Sequence, residues 1–181
     1  MASIKILDKY FELFVPYEKI RSVIERIADE MNEKLEGKNP LFLCVLNGSF
    51  MFAAEIFKRI TLLDAEITFV KLTSYRGTST TGQVKELIGL NESLAGRTVV
   101  ILEDIVDTGI TMAKTIEQIK TMNPAEIQVA TLLLKPDALE EDVHLDYVGL
   151  KIPNDFIVGY GLDYEGRGRN LIDIYKETNN E

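Results

Sequence analysis

Val99-Val100-Ile101-Leu102-Glu103-Asp104-Ile105-Val106-Asp107-Thr108-Gly109-Ile110-Thr111-Met112 (VVILEDIVDTGITM) is the stretch around which the chain is organised. Its opening run, Val99 to Leu102, is too short and too β-branched for a helix and reads as a fully buried strand. Three carboxylates follow within five residues (Glu103, Asp104, Asp107), then Thr108-Gly109 and the hydroxyl of Thr111. From there to Met122 the pattern is helical, and Asn123-Pro124 stops it. A strand that ends in acids and opens a helix with Thr-Gly-x-Thr suits a sugar phosphate. The helix N-terminus offers N–H groups and a positive dipole end to the phosphate. Ionised carboxylates accept hydrogen bonds but cannot donate, so they face hydroxyls, a metal or a proton to be removed. Three acids at a loop are more commonly a solvated turn or helix cap. The buried strand before them and the Thr-Gly-x-Thr after them favour the site.

Working outward, Ile127 to Leu134 (IQVATLLL) is a second buried strand, and it delivers Lys135 to the same edge as Asp107. Upstream, Pro40 to Leu46 is a buried strand that runs into Asn47-Gly48-Ser49 and a helix from Phe50 to about Ile60. Glu66 to Leu72 alternates, is β-branched, and reads as the other central strand. Strands alternating with helices imply a parallel sheet with right-handed crossovers. Ligands in such sheets bind beyond the carboxyl ends of the strands. That rule collects Asn47-Gly48, Ser74, Asp104, Asp107 and Lys135 on one edge. No G-x-G-x-x-G follows the first strand, so a generic Rossmann or flavodoxin-like reading lacks support.

Pro16 suits a first helical turn, and Ile20, Val23, Ile24, Ile27, Met31 and Leu35 recur at helical spacing up to Gly37. That helix covers a sheet face. Residues 1–16 alternate loosely and take no assigned place. Tyr147 to Ile152, Phe156 to Leu162 and Leu171 to Tyr175 read as small strands or a hood, not another Rossmann repeat, and Glu177 to Glu181 is a polar tail. With no internal repeat or linker, residues 1–181 form a single domain, which buries roughly 70% of its unfolded surface.

The balance of 20 Lys+Arg against 29 Asp+Glu gives a net charge of −9, which weighs against general nucleic-acid or anionic-membrane binding. Cys44 is the single cysteine and lies in an apolar run, so it reads as a buried, inert thiol in a reducing compartment. Asp8, Lys9 and Glu12 interrupt the N-terminal apolar residues, so no signal-peptide core forms. No window approaches the roughly 20 apolar residues of a membrane span. These features make a cytoplasmic location the expectation.

Between the second and third central strands lies Thr73-Ser74-Tyr75-Arg76-Gly77-Thr78-Ser79-Thr80-Thr81-Gly82-Gln83, after which no strand is expected until Val99. Such a stretch is either a floppy hairpin with exposed strands or a lid, about 74–88, that closes over a site to exclude water. Spacing alone does not separate the two.

Glu103-Asp104-Ile105-Val106-Asp107-Thr108-Gly109 resembles the phosphoribosyl-pyrophosphate signature of the type I phosphoribosyltransferases. Pro153-Asn154-Asp155-Phe156-Ile157-Val158-Gly159-Tyr160-Gly161-Leu162-Asp163-Tyr164 resembles the base-binding hood of the hypoxanthine-guanine members, and the likeness runs from about Leu41 to Asn170. The resemblance implies the type I phosphoribosyltransferase fold: a central, mostly parallel twisted sheet flanked by helices, with a flexible lid loop and a small hood built from about residue 146 to 181 and the N-terminal residues. It also implies a pentosyl-transfer enzyme of purine salvage. Hypoxanthine and guanine would be its bases, with xanthine left open, and phosphoribosyl pyrophosphate, a purine nucleoside monophosphate and Mg²⁺ its other ligands. A homodimer or homotetramer is implied as well.

The implied roles follow residue by residue. Asp107 would be the general base at purine N7, and Glu103 and Asp104 would meet the ribose hydroxyls directly or through Mg²⁺. Asp107, Thr108, Gly109, Ile110 and Thr111 would cradle the 5′-phosphate, although some relatives carry a basic residue where this chain has Ile110. Lys135 would read the purine's exocyclic oxygen, since an ammonium has three donors and no acceptor. Phe156 would stack on the purine, Ile157 would meet the base edge through its main chain, and Asp163, also among the purine-binding residues, would hold a second Mg²⁺ on pyrophosphate. Leu46, Asn47 and Gly48 (with a cis peptide expected at Leu46–Asn47), Ser74, Tyr75 and Arg169 would meet pyrophosphate. Many relatives carry Lys where this chain has Asn47, so contact there would rest on backbone and amide. The local pattern Glu165-Gly166-Arg167-Gly168-Arg169-Asn170 leaves Arg167 and Arg169 both open for that role.

Without the resemblance, Asn-Gly-Ser is an ordinary capped turn, Lys135 a solvated lysine and Phe156 a core aromatic. His144, in an acidic run without metal or triad spacing, is a surface residue. The rival from another class is a regulator on the same fold that binds nucleotide and nucleic acid without catalysis. It should show a basic face, and it need not keep Asp107, Lys135, Phe156 and Asp163 together.

Overall fold

A computed structural model describes residues 3–74 and 85–179. In chain order the elements are β1 (Ile4–Ile6), β2 (Lys9–Val15), α1 (Tyr17–Lys34), β3 (Pro40–Leu46), α2 (Phe50–Phe57), β4 (Glu66–Ser74), β5 (Lys85–Ile88), β6 (Thr98–Val106), α3 (Ile110–Lys120), β7 (Glu126–Leu134), β8 (Tyr147–Lys151), β9 (Ile157–Val158) and β10 (Ile174–Thr178). Six strands form the central sheet in the order β5-β4-β3-β6-β7-β8, of which β4, β3, β6, β7 and β8 are mutually parallel. A second sheet, β1-β2-β10-β9, is antiparallel.

The pleat sorts the apolar residues onto two faces. Phe42 and Cys44 of β3 and Val100 and Leu102 of β6 face α1 and α2, where Ile20, Ile24, Ile27, Met31, Phe52 and Ile56 complete one core. Leu41, Leu43, Val45, Val99 and Ile101 face the other way and pack with Met112 and Ile119 of α3. Burial on both faces explains why β3, β6 and β7 read as continuous apolar runs instead of alternating. Among the described residues no helix is long and apolar enough to cross a membrane.

Several boundaries differ from the sequence reading. The strand after β4 is β5, not the one at Val99. It returns antiparallel along β4 (Lys71↔Ile88, Ser74↔Lys85), as an edge strand of a mixed sheet can. At four residues, two of them charged, it carries no periodic signal. The segment expected as a lid lies largely outside the described residues, but 85–88 belong to this hairpin.

Residues 147–151, expected in the hood, form the sixth strand of the central sheet beside β7. Gly149 permits this, since a Cβ there would lie 2.3 Å from the Leu132 carbonyl oxygen. The hood strand expected at Leu171 begins at Ile174, and α3 begins at Ile110, just ahead of the helical pattern that runs from Thr111. Pro16 caps α1 from outside its first turn. The loosely alternating N-terminus is the β1–β2 hairpin, whose second strand pairs with β10.

Cys44 is fully buried, its Sγ lies 3.1 Å from Ser49 Oγ, and burial pushes the thiol up to about 11. The thiolate is the nucleophile, so native Cys44 should react with iodoacetamide at pH 7.5 at least about 100-fold more slowly than in denaturant. Mass spectrometry over time reads this, and equal rates in the two conditions would show that the β3 face is open.

Candidate active site

The parallel strands bring their carboxyl ends to one edge, and the turns that leave that edge form the site. β3 ends in a cis peptide at Leu46–Asn47 before α2, and β6 ends at Val106 before Asp107-Thr108-Gly109. Gly109 takes a left-handed φ of 81° and caps α3, a conformation that glycine adopts without cost. Its carbonyl accepts the first helical bond, from Ala113 N–H at 2.9 Å. A pocket of about 270 Å³ opens here, lined by Leu46, Asn47, Glu103, Asp104, Asp107, Thr108, Gly109 and Thr111, with Val45, Leu72 and Met112 as apolar wall.

Lys135 follows β7, and its backbone N–H donates to the Val106 carbonyl at 3.0 Å, which lays the two strand ends side by side. The residue is 8% exposed, and Nζ lies 3.2 Å from Asp107 Oδ2. A nearly buried ammonium needs such a partner, because an unpaired buried charge is costly. Lys135 is therefore not a solvated strand-end lysine.

Asp104 packs into the floor. Its Oδ1 accepts the Ile105 N–H at 2.9 Å. Burial raises its pKa, while a hydrogen bond with Glu103 and the Arg169 guanidinium pull the other way. Its carboxylate lies against the β3–α2 turn so closely that a Cβ on Gly48 would sit 1.5 Å from Asp104 Oδ2. A Cβ on Gly161 would in turn lie 2.0 Å from the Gly48 carbonyl oxygen.

Arg169 closes this contact from the hood. Nη1 donates to the Gly161 carbonyl at 2.6 Å, and Nη2 pairs with Asp163 Oδ1 at 2.6 Å. Asp163 Oδ2 accepts the Gly166 N–H at 2.7 Å. Of the two arginines left open by the sequence, Arg169 reaches this edge. Arg167 instead lines a separate cavity with Ile4, Lys5, Ile6 and Leu7.

Phe156 and Ile157 sit in the hood and do not line the pocket. Phe156 is 43% exposed, whereas Ile157 is buried, its backbone paired with Lys176. Ile110 opens α3, Ser74 ends β4, and Tyr75 lies outside the described residues.

Two features escaped the sequence reading. The Thr108 carbonyl accepts the N–H groups of Glu140 and Glu141 at 2.9 and 3.1 Å, so the acidic run that leads to His144 buttresses the β6–α3 turn. The other is Gly161, which the hood motif contains without an assigned role, and the Gly159-Tyr160-Gly161 spacing was its available signal. Among the described residues no three acidic, histidine or cysteine side chains lie close enough to hold a metal ion by themselves. Mg²⁺ keeps waters and substrate oxygens and takes one or two carboxylates, and the Glu103–Asp104 pair fits that donor set.

Residues 16–165 match the phosphoribosyl transferase domain. The chain is 39% identical to the hypoxanthine-guanine phosphoribosyltransferase of Lactococcus lactis subsp. lactis (strain IL1403), over 92% of this chain and 91% of that protein. It is 37% identical to the bifunctional protein TilS/HprT of Listeria monocytogenes serotype 4b (strain F2365) over 88% of its own length, but it spans only 25% of that relative. A solved hypoxanthine phosphoribosyltransferase from Staphylococcus aureus superposes with a TM-score of 0.85 at 32% identity, covering 92% of this chain and 91% of that one.

Two substitutions should move stability in opposite directions. Gly48→Ala must displace the Asp104 carboxylate and should cost about 1–3 kcal/mol, read from urea midpoints. Because burial raises the Asp104 pKa above its unfolded value, the folded chain binds more protons than the unfolded one between the two values. Stability therefore falls as pH rises through that window. In metal-free buffer Asp104→Asn should raise the thermal midpoint at pH 7, and the gain should vanish below about pH 4, where both states carry a neutral acid. A loss at pH 7 would contradict the burial argument.

Proposed function

The chain belongs to the hypoxanthine-guanine phosphoribosyltransferase family, and from that premise we propose that it transfers the 5-phosphoribosyl group of phosphoribosyl pyrophosphate to a 6-oxopurine. The products are the purine nucleoside 5′-monophosphate and pyrophosphate. The observation that carries the base assignment is the Lys135–Asp107 pair at 3.2 Å. The outer edge of a 6-oxopurine presents N7 and O6 side by side. Asp107 takes the N7 proton while Lys135 keeps donors for O6, and hypoxanthine and guanine both satisfy this. Adenine would present an amino donor to the ammonium.

In the reaction the bond from C1′ to the pyrophosphate oxygen breaks as purine N9 bonds to C1′, and the proton released from N7 passes to Asp107. Positive charge grows on the ribose, and Glu103 and Asp104 lie at the same pocket to face its hydroxyls and oppose that charge. Thr108, Gly109, Ile110 and Thr111, at the α3 N-terminus, hold the 5′-phosphate. Pyrophosphate is met by Leu46, Asn47 and Gly48, by Ser74 and by Arg169; Tyr75 is proposed from the family resemblance alone. Phe156 stacks on the base, and the Ile157 main chain and Asp163 meet its edge. Glu103 and Asp104, with Asp163 as a further oxygen donor, would hold Mg²⁺, which when bound neutralises charge on the leaving pyrophosphate.

Steady-state assays with phosphoribosyl pyrophosphate, Mg²⁺ and each of hypoxanthine, guanine, xanthine and adenine test the reading. Turnover of 6-oxopurines should exceed that of adenine by at least about 100-fold. Asp107→Asn should lower kcat by about 10²–10⁴-fold. Unchanged turnover in that variant would move the base elsewhere. Absence of turnover with every purine, beside measurable nucleotide binding, would favour the regulator.

A further inference from the structure

The turn of the β1–β2 hairpin reaches the hood aromatics. Lys9, Phe11 and Leu13 share one face of β2, as the two-residue period requires. Buried Phe11 lies 6.2 Å, centroid to centroid, from both Phe156 and Tyr164. One step toward the turn on that face, Lys9 Nζ stands 4.9 Å from the Phe156 ring centroid and 5.2 Å from that of Tyr164.

The ammonium is anchored by Glu177 Oε1 at 2.7 Å, and the Glu177 N–H donates to the Phe156 carbonyl at 2.8 Å. The neighbouring Asp8 accepts the Tyr164 hydroxyl at 2.7 Å, which holds the Asp8 carboxyl low and raises the phenol. Tyr164 in turn sets its ring at 85° to Phe156, with centroids 5.8 Å apart. Phe156 is thus braced by Tyr164, by Phe11 and by a cation, yet it remains 43% exposed.

We propose that Lys9 is a positioning residue for the purine: it holds the Phe156 ring plane and draws π-density away from the ring, preparing the exposed side to stack on the base. This rests on Phe156 being the stacking residue. An aromatic with no cation beside it would present its full negative face to the π-cloud of the purine, and a free χ2 would have to be frozen on binding. Asp8 serves the same end through Tyr164.

The test measures KM for hypoxanthine and for phosphoribosyl pyrophosphate, and kcat, in Lys9→Met, Lys9→Arg, Phe156→Leu and the Lys9→Met/Phe156→Leu double variant. Lys9→Met should raise KM for hypoxanthine by about two- to fivefold, the equivalent of one exposed cation–π contact. KM for phosphoribosyl pyrophosphate should stay in place. Lys9→Arg, which keeps a cation over the ring, should restore the wild-type value, and Lys9→Met should add nothing in the Phe156→Leu background.

An unchanged KM in Lys9→Met, an equal effect in both backgrounds, or a parallel loss in kcat and both KM values would overturn the proposal. The Phe156→Leu variant separates the two readings. If it leaves the hypoxanthine KM in place, the stacking assignment fails and the role of Lys9 fails with it. If it raises that KM while Lys9→Met does not, stacking stands and only the role of Lys9 falls.

Discussion

Gly48 packs against two surfaces: the Asp104 carboxylate, which leaves no room for a side chain on Gly48, and the backbone of Gly161, which can carry no side chain beside the Gly48 carbonyl oxygen. The first surface belongs to the central sheet and the second to the hood, so the backbone of one turn sets the distance between the two parts of the molecule. Arg169 fastens that contact by bonding the Gly161 carbonyl and the Asp163 carboxylate together. Hood residues reach the carboxyl edge of a sheet they do not belong to because this three-layer contact is close. A larger residue at either glycine would separate the layers.

The same edge concentrates groups that folding alone would avoid. Asp104 is held where burial disfavours its charge, and Lys135 is an almost fully covered ammonium paired with Asp107. Two faces of tightly packed apolar residues on the central sheet supply the stability that tolerates them. The strand register then fixes their spacing: Val106 pairs with Leu134, so the residues that follow, Asp107 and Lys135, leave the sheet together. The pair is a consequence of parallel neighbours of matched length, with no dedicated loop required to build it.

Much of this was legible in the chain. β3, β6 and β7 are buried on both faces and announce themselves as apolar runs, and the acids and Thr-Gly-x-Thr after β6 mark where the strand stops and α3 starts. The short elements were not legible. β5 has four residues and β9 two, too few for any period to show, and β8 carries a glycine whose purpose is visible only when Leu132 is seen against it. The β1–β2 hairpin alternates too loosely to place, because its partner, β10, lies about 160 residues away in the chain.

The sequence by itself determined the alternation of strands and helices, the edge on which the site must lie and the chemistry available there, since each follows from local pattern and residue type. Tertiary structure alone decided which of Arg167 and Arg169 faces that edge, that Lys135 is covered and paired, that residues 147–151 belong to the central sheet, and that Lys9 stands over Phe156. Each of these is a contact between segments far apart in the chain. Such contacts depend on how closely two backbones approach, and no periodicity within one segment encodes that distance.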